Sequence, residues 1–135
     1  MYEYNCKIRR VVDGDTIDVD VDLGFNTWRI NERVRLYGVD TPECRSRDEQ
    51  EKAAGLLAKK FVSETLHVGE TYVLTTKEKD KYGRYLGTIN ISGDLSINVT
   101  LVTERLAVPY RGQSKKEIQA AHKANYEALK EKGLL

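Results

Sequence analysis

Three short stretches put carboxylates and guanidiniums where a turn would display them. In Asp13-Gly14-Asp15-Thr16 the Asp-Gly pair is a strong turn signal, and alone the stretch reads first as a hairpin turn with polar ends. Strand parity adds a constraint. If the residues after the turn are regular β, Asp15 shares a side with Ile17, Val19 and Val21, while Asp18, Asp20 and Asp22 point to water. A carboxylate aimed inward must find a cation or hydrogen-bond donors, because burying it unpaired is very costly.

The second stretch runs Arg33-Val34-Arg35-Leu36-Tyr37-Gly38-Val39-Asp40-Thr41-Pro42-Glu43. Val34 and Leu36 share one face, and Arg33, Arg35 and Tyr37 share the other. Beyond Gly38, Asp40 continues the apolar face, and Pro42 stiffens the turn that displays Glu43. Two carboxylates from adjacent strands plus a backbone carbonyl are hard oxygen ligands of the kind that suit Ca²⁺ or Mg²⁺. A third carboxylate one turn further on could orient or deprotonate a water. A surface ion-pair network of Arg35, Asp40, Glu43 and Arg45 explains the same pattern equally well. The third stretch, Asp80-Lys81-Tyr82-Gly83-Arg84, delivers an arginine at the mouth of a strand, where its fork matches a phosphate. By itself it is only a charged hairpin.

The elements that position these stretches follow from periodicity. Strand-like runs fall at 7–12, 16–22, 33–39, 71–76 and 85–91. A helix over about 47–66 opens on the capping box Ser46-x-x-Glu49, and another over about 115–132 opens on Ser114-x-x-Glu117. Residues 95–102 alternate Leu95, Ile97, Val99 and Leu101 with polar residues, which on period alone argues for a strand.

At 135 residues, 40% apolar and 32% charged, the chain fits one domain around one core. Its 22 Lys+Arg against 21 Asp+Glu give a net charge of +1, which excludes a simple polycation. The charges are segregated, however. Residues 11–25 carry five acids and no base, whereas residues 105–116 carry four bases and no acid. An acidic pocket beside basic segments concentrates a divalent cation and attracts phosphates at the same time. No apolar run is long enough to span a membrane and the N-terminus lacks a signal-peptide pattern, so a cytoplasmic location is expected. Cys6 and Cys44 form no C-x-x-C pair and read as buried bystanders.

The three motifs, in this order over roughly residues 5–132, resemble the staphylococcal nuclease (thermonuclease) family: a D-G-D-T turn, an R-L-x-x-V-D-T-P-E strand end and a D-K-Y-G-R turn. The resemblance implies an α+β, mainly β fold: a five-stranded OB-fold Greek-key barrel with three helices, in one domain over residues 1–135. It also implies a short helix near 98–105, where the alternation argues for a strand. The implied activity is calcium-dependent hydrolysis of phosphodiester bonds in DNA and RNA, releasing the 5′-oxygen and leaving 3′-phosphates. Carried over by position, Asp15 and Asp40 supply carboxylates to Ca²⁺, with the backbone carbonyl of Thr41, and Asp13 sits close by. Glu43 positions the attacking water and accepts its proton, Arg35 and Arg84 grip the phosphate, and Tyr82 and Tyr110 contact the nucleotide. The expected substrates are DNA and RNA with unpaired regions preferred, met by a monomer without an obligate protein partner.

The chain departs from the family in a longer connection between Thr16 and Arg35, whose Phe25, Trp28 and Arg29 either stack on a base or, as the favoured reading, cover the barrel. His67 and His122 lie outside every motif and receive no role. Two other classes compete. An OB barrel can bind nucleic acid without cutting it, but such a module should lack one or more of Asp15, Arg35, Asp40, Glu43 and Arg84, and all five are present. A protein-docking strip of Asp18, Asp20 and Asp22 is the least supported.

Overall fold

The computed structural model describes residues 2–135. In chain order its elements are β1 (Glu3–Asp13), β2 (Thr16–Asp22), β3 (Trp28–Leu36), β4 (Val39–Asp40), α1 (Glu49–Thr65), β5 (Thr71–Lys79), β6 (Tyr85–Ser92), β7 (Leu95–Ser96), α2 (Ile97–Thr103), β8 (Val108–Pro109) and α3 (Lys115–Glu131). Five strands run antiparallel in the order β3-β2-β1-β5-β6, and a parallel pairing of β3 with β6 closes them into a barrel. With three helices this is the mainly β, OB-type α+β fold that the resemblance implied. No helix among the described residues is long and apolar enough to cross a membrane.

The core follows the alternation. Ile17, Val19 and Val21 of β2 meet Ile8 of β1, Val34 and Leu36 of β3, Leu74 of β5 and Ile89 of β6 inside the barrel. Helix α1 packs against β1 and adds Ala58 and Val62 to the same core. The entry to α1 differs from the expected capping box: the N-cap is Asp48, whose carboxylate accepts from the Gln50 and Glu51 amides. Ser46 instead donates to Glu51 and accepts from the Asp48 amide. A carboxylate at the positive end of a helix does the capping work of a hydroxyl and adds a charge term.

Residues 97–103 form the helix that the resemblance implied, not the strand that alternation argued for. Ser96 caps it by accepting from the Val99 amide, and Ile97 and Leu101, four apart, face the core together. Asn98 is turned inward as well. Its Oδ1 accepts from the Ile89 amide, and its Nδ2 donates to the carbonyls of Tyr37 and Gly87. One side chain therefore binds backbone groups on both sides of the closing seam, adding to the bond that the Tyr37 amide donates to the Gly87 carbonyl. Gly87 lies on this seam, where a Cβ would come within 2.7 Å of Leu74 Cδ1.

Two expectations about exposure fail. Asp18 does not face water: it is buried at 5% exposure, held by the Arg33 guanidinium at 2.9 Å and by Arg10 at 3.3 Å. Phe25 covers nothing, being fully exposed at the tip of the β2–β3 hairpin with a left-handed φ of 54°. The hydrogen bonds and charge of Arg33, with help from Arg10, hold the Asp18 carboxyl below the usual range despite its burial. Its folded pKa is depressed, so its stabilisation is full above the unfolded value of about 4 and is lost as pH falls through the folded value. We expect Asp18→Asn to lower stability at pH 7 by about 1–2 kcal/mol, discounted because both arginines are half in solvent. In urea unfolding at falling pH, the gap between the variant and the parent should begin to close near pH 4 and vanish in stronger acid.

Candidate active site

Two turns and two short strands gather the candidate residues. Asp15 follows the tight turn at Gly14, and Asp40 ends β4, which pairs with β8 across Val39–Pro109 and Asp40–Val108. Gly14 is required by contact: a Cβ there would lie 2.9 Å from the Ala58 Cβ of α1 and 3.1 Å from the Thr41 side chain. The turn carrying Asp15 is thereby wedged between α1 and Thr41. Asp15, 9% exposed, accepts from the Thr41 amide at 3.1 Å and from the Thr16 hydroxyl at 3.0 Å. Strand parity had aimed this carboxylate inward, and the structure supplies the donors that parity demanded.

Arg35 joins the two acids. Its Nη1 lies 3.4 Å from Asp15 Oδ2 and its Nη2 3.2 Å from Asp40 Oδ1. Nη1 also donates to the carbonyls of Val39 and Leu36. A guanidinium held this way fixes the separation and orientation of both carboxylates. His122 of α3 lies outside every sequence motif, yet its Nε2 is 2.8 Å from Asp40 Oδ2. One signal could have found it: His122 lies four residues after Ile118 and three before Asn125, on the stripe that faces the barrel. Asn125 donates to the Ala107 carbonyl from that same face. Beside His122, a cleft of about 450 Å³ opens between α1 and α3, lined by Pro42, Glu51, Lys123 and Tyr126 among others.

The other predicted residues stand around this pair. Glu43 is exposed. Its backbone is pressed against α1 at Gly55, where a Cβ would meet the Glu43 carbonyl and the Pro42 oxygen at 2.7 Å. Cys44 is buried and donates to the Gly55 carbonyl at 3.2 Å, and burial followed by the Asp13 charge pushes its thiol up to about 11. Cys6 is also buried and free, its thiol pushed up to about 11 by burial. Both are protonated and inert near neutrality. Asp13 thus sits toward Cys44, across Gly14 from Asp15. Tyr110 is half exposed, and its amide donates to the Gly38 carbonyl, which anchors it next to β4.

Arg84 and Tyr82 form a separate group on the β5–β6 turn. Asp80 Oδ1 accepts from the amides of Tyr82 and Arg84, and its Oδ2 takes the Arg84 guanidinium at 2.6 Å. Burial, which alone would raise the Asp80 pKa, is outweighed by these bonds, and the carboxyl stays below its ordinary value. The Arg84 guanidinium lies 5.3 Å from the Tyr82 ring centroid. Among the described residues no hydrogen bond or ion pair links Arg84 to Asp15, Asp40 or Glu43. The β3–β6 pairing nevertheless sets Leu86 beside Arg35, two residues from Arg84.

The donor chemistry suits a hard divalent cation. Asp15 and Asp40 offer oxygens converging on one positive group, and the buried Thr41 hydroxyl beside Asp15 has no hydrogen-bond partner. No three His, Cys, Asp or Glu side chains form a ready cage among the described residues. A cation held there would keep water or substrate oxygens in its remaining positions, as Ca²⁺ and Mg²⁺ commonly do.

A family model described as staphylococcal nuclease homologue matches residues 33–134. Thermonuclease of Staphylococcus intermedius is 40% identical over 101 residues, covering 74% of this chain and 56% of its own length. Micrococcal nuclease of Shigella flexneri is 33% identical over 117 residues, covering 81% of this chain and 60% of its own. Endonuclease YhcR of Bacillus subtilis is 30% identical over 115 residues, covering 80% of this chain and 9% of its own. The chain thus spans under two thirds of each of these relatives. The barrel, the ordered motifs and a match over most of the chain agree, and the chain belongs to the staphylococcal nuclease homologue family.

Proposed function

We infer that this chain, as one domain over residues 1–135, is a calcium-dependent nuclease that hydrolyses phosphodiester bonds of DNA and RNA. The observation that carries the reading is the convergence of Asp15 and Asp40 on Arg35 beside Thr41. Similar chains named thermonuclease and micrococcal nuclease support it. Asp15 and Asp40 would hold the ion with the Thr41 carbonyl, and the ion would supply Lewis-acid stabilisation of charge on the phosphoryl oxygens.

The remaining roles belong to the chain. Glu43 orients a water opposite the 5′-oxygen and takes its proton, so the new O–P bond forms as the P–O5′ bond breaks. The 5′-oxygen leaves with a proton from solvent, and the phosphate stays on the 3′ side. Arg35 and Arg84 donate to the non-bridging oxygens, where negative charge grows in the transition state. For Arg84 this means exchanging its pairing with Asp80 for a charge-assisted fork to phosphate. Asp13 adds negative potential near Asp15, and Tyr82 and Tyr110 flank the nucleotide. Unpaired strands are the preferred substrate and the monomer is the working unit.

The test is hydrolysis of denatured DNA and of RNA in Ca²⁺, in Mg²⁺ and in EDTA. Ca²⁺ should support cleavage and EDTA should abolish it. Cleavage that survives EDTA would remove the metal from the mechanism.

A further inference from the structure

At the barrel mouth, between the β2–β3 hairpin and the ends of β5 and β6, lies a cleft of about 350 Å³ apart from the carboxylate pair. That volume is within the range of small-ligand sites. Its floor is apolar, built from Val21, Val34 and Leu74, and its walls include Tyr4 and Tyr85. The rim carries Arg29, Lys77 and Lys79. Glu32 is the only acid lining it, and Arg29 already neutralises it at 2.9 Å. The site therefore presents an aromatic and apolar interior under a net positive rim.

Cations stand against aromatic rings in and beside this cleft. Lys79 lies 4.8 Å and Arg29 5.9 Å from the Tyr85 ring centroid, and Lys77 lies 5.2 Å from Tyr37. The hairpin that supplies Arg29 also holds Phe25 wholly exposed in a left-handed conformation that costs an L-residue energy. Packing does not explain an aromatic held out in this way. Interleaved rings and cations are the means by which proteins hold single strands without reading sequence, rings taking bases and cations taking phosphates.

We propose that this cleft is a binding site for single-stranded nucleic acid, with a base stacked on Tyr85 and the flanking phosphates on Lys77 and Lys79. The site names a second foothold for the substrate of the nuclease described above and in that sense rests on that reading. An exposed lysine–ring contact is weaker than a base–ring stack, so an incoming base displaces Lys79 from the ring and frees its ammonium for the neighbouring phosphate. Arg29, tied to Glu32, stays in place. Tyr85 follows Arg84 directly and pairs with Val34, next to Arg35. A strand seated here therefore runs on toward the two arginines of the candidate active site.

The experiment measures fluorescence anisotropy of a labelled oligothymidylate about twelve nucleotides long, in EDTA so that nothing is cut. Tyr85→Ala should weaken binding roughly tenfold, and Tyr85→Phe, which keeps the ring, should bind like the parent. Lys77→Ala with Lys79→Ala should weaken binding and flatten the salt dependence by about 0.7 log units per lost contact. The lysine variant decides the matter if Tyr85→Ala fails to fold. Parent-like binding by a folded Tyr85→Ala protein or by the lysine variant would overturn the proposal. So would equal displacement of the strand by polyglutamate from the parent and from Tyr85→Ala, which would mark the surface as a general polyanion patch. The function itself is read separately, from cleavage by the parent in Ca²⁺. Tyr85-dependent binding without any cleavage would overturn the nuclease and leave the cleft standing, whereas cleavage with Tyr85-independent binding would overturn the cleft alone.

Discussion

Glu43→Gln is expected to reduce hydrolysis of denatured DNA in Ca²⁺ by roughly 10²-fold or more, the usual contribution of a positioned general base. The amide has the shape of the carboxylate but cannot take a proton from water near neutrality. The side chain is exposed and makes no hydrogen bond or ion pair among the described residues, so the change should leave stability within about 0.5 kcal/mol. The loss should fall on kcat with little effect on KM, because the proton moves only on the way to the transition state. Steady-state kinetics together with thermal unfolding separate these effects. An unchanged kcat would take Glu43 out of the mechanism.

The second large effect lies on a helix. Gly55→Ala would place a methyl 2.7 Å from the carbonyl carbon and oxygen of Glu43 and from the Pro42 oxygen. These atoms are all backbone, so no side-chain rotation relieves the clash, and either α1 or the Pro42–Glu43 turn must move. Overpacking of this kind costs about 1–3 kcal/mol, and the gain in helix propensity from Gly to Ala returns about 1. Stability should therefore drop by no more than about 2 kcal/mol. Activity should fall much further, because a displacement of about 1 Å at a catalytic group is enough for a 10²-fold loss. In the Glu43→Gln background the same substitution should add little, since the group it displaces is already disabled. Full additivity in that double-mutant cycle would show that Gly55 does not act through the turn.

What the sequence disclosed about this site was what local rules govern. Strand parity aims Asp15 and Asp40 inward, and Arg35 receives both, although turns at Gly14–Asp15 and Tyr37–Gly38 interrupt the strands. The same rule failed at Asp18 because its partners decide its burial. Arg10 on β1 and Arg33 on β3 lie opposite it in register and cover it with their stems, and neither pairing can be counted from β2 alone. At Ile97–Thr103, alternation and helical spacing coincide in Ile97 and Leu101, and the inward Asn98 with the exposed Val99 separates them. His122 meets Asp40 across 82 residues, and its helical spacing from Ile118 and Asn125 marks the face it lies on but not the partner it meets there. The α1 cap lies two residues beyond the expected Ser46 because Ser46 and Asp48 both precede the helix, and charge at the N-terminus favours the acid.

The parallel β3–β6 seam bears on when the proposed activity would arise. Val34 and Tyr85 are distant in sequence, and joining them closes a long loop, a step that topology makes slow and late in folding. Arg35 arrives on one lip of that seam and Arg84 on the other. A nascent, nicked or partly opened chain holds the acids on its first strands but lacks the second arginine opposite them. Cleaving power should therefore appear only when β6 docks on β3, so turnover during refolding would report closure of the barrel more strictly than any spectroscopic measure of secondary structure.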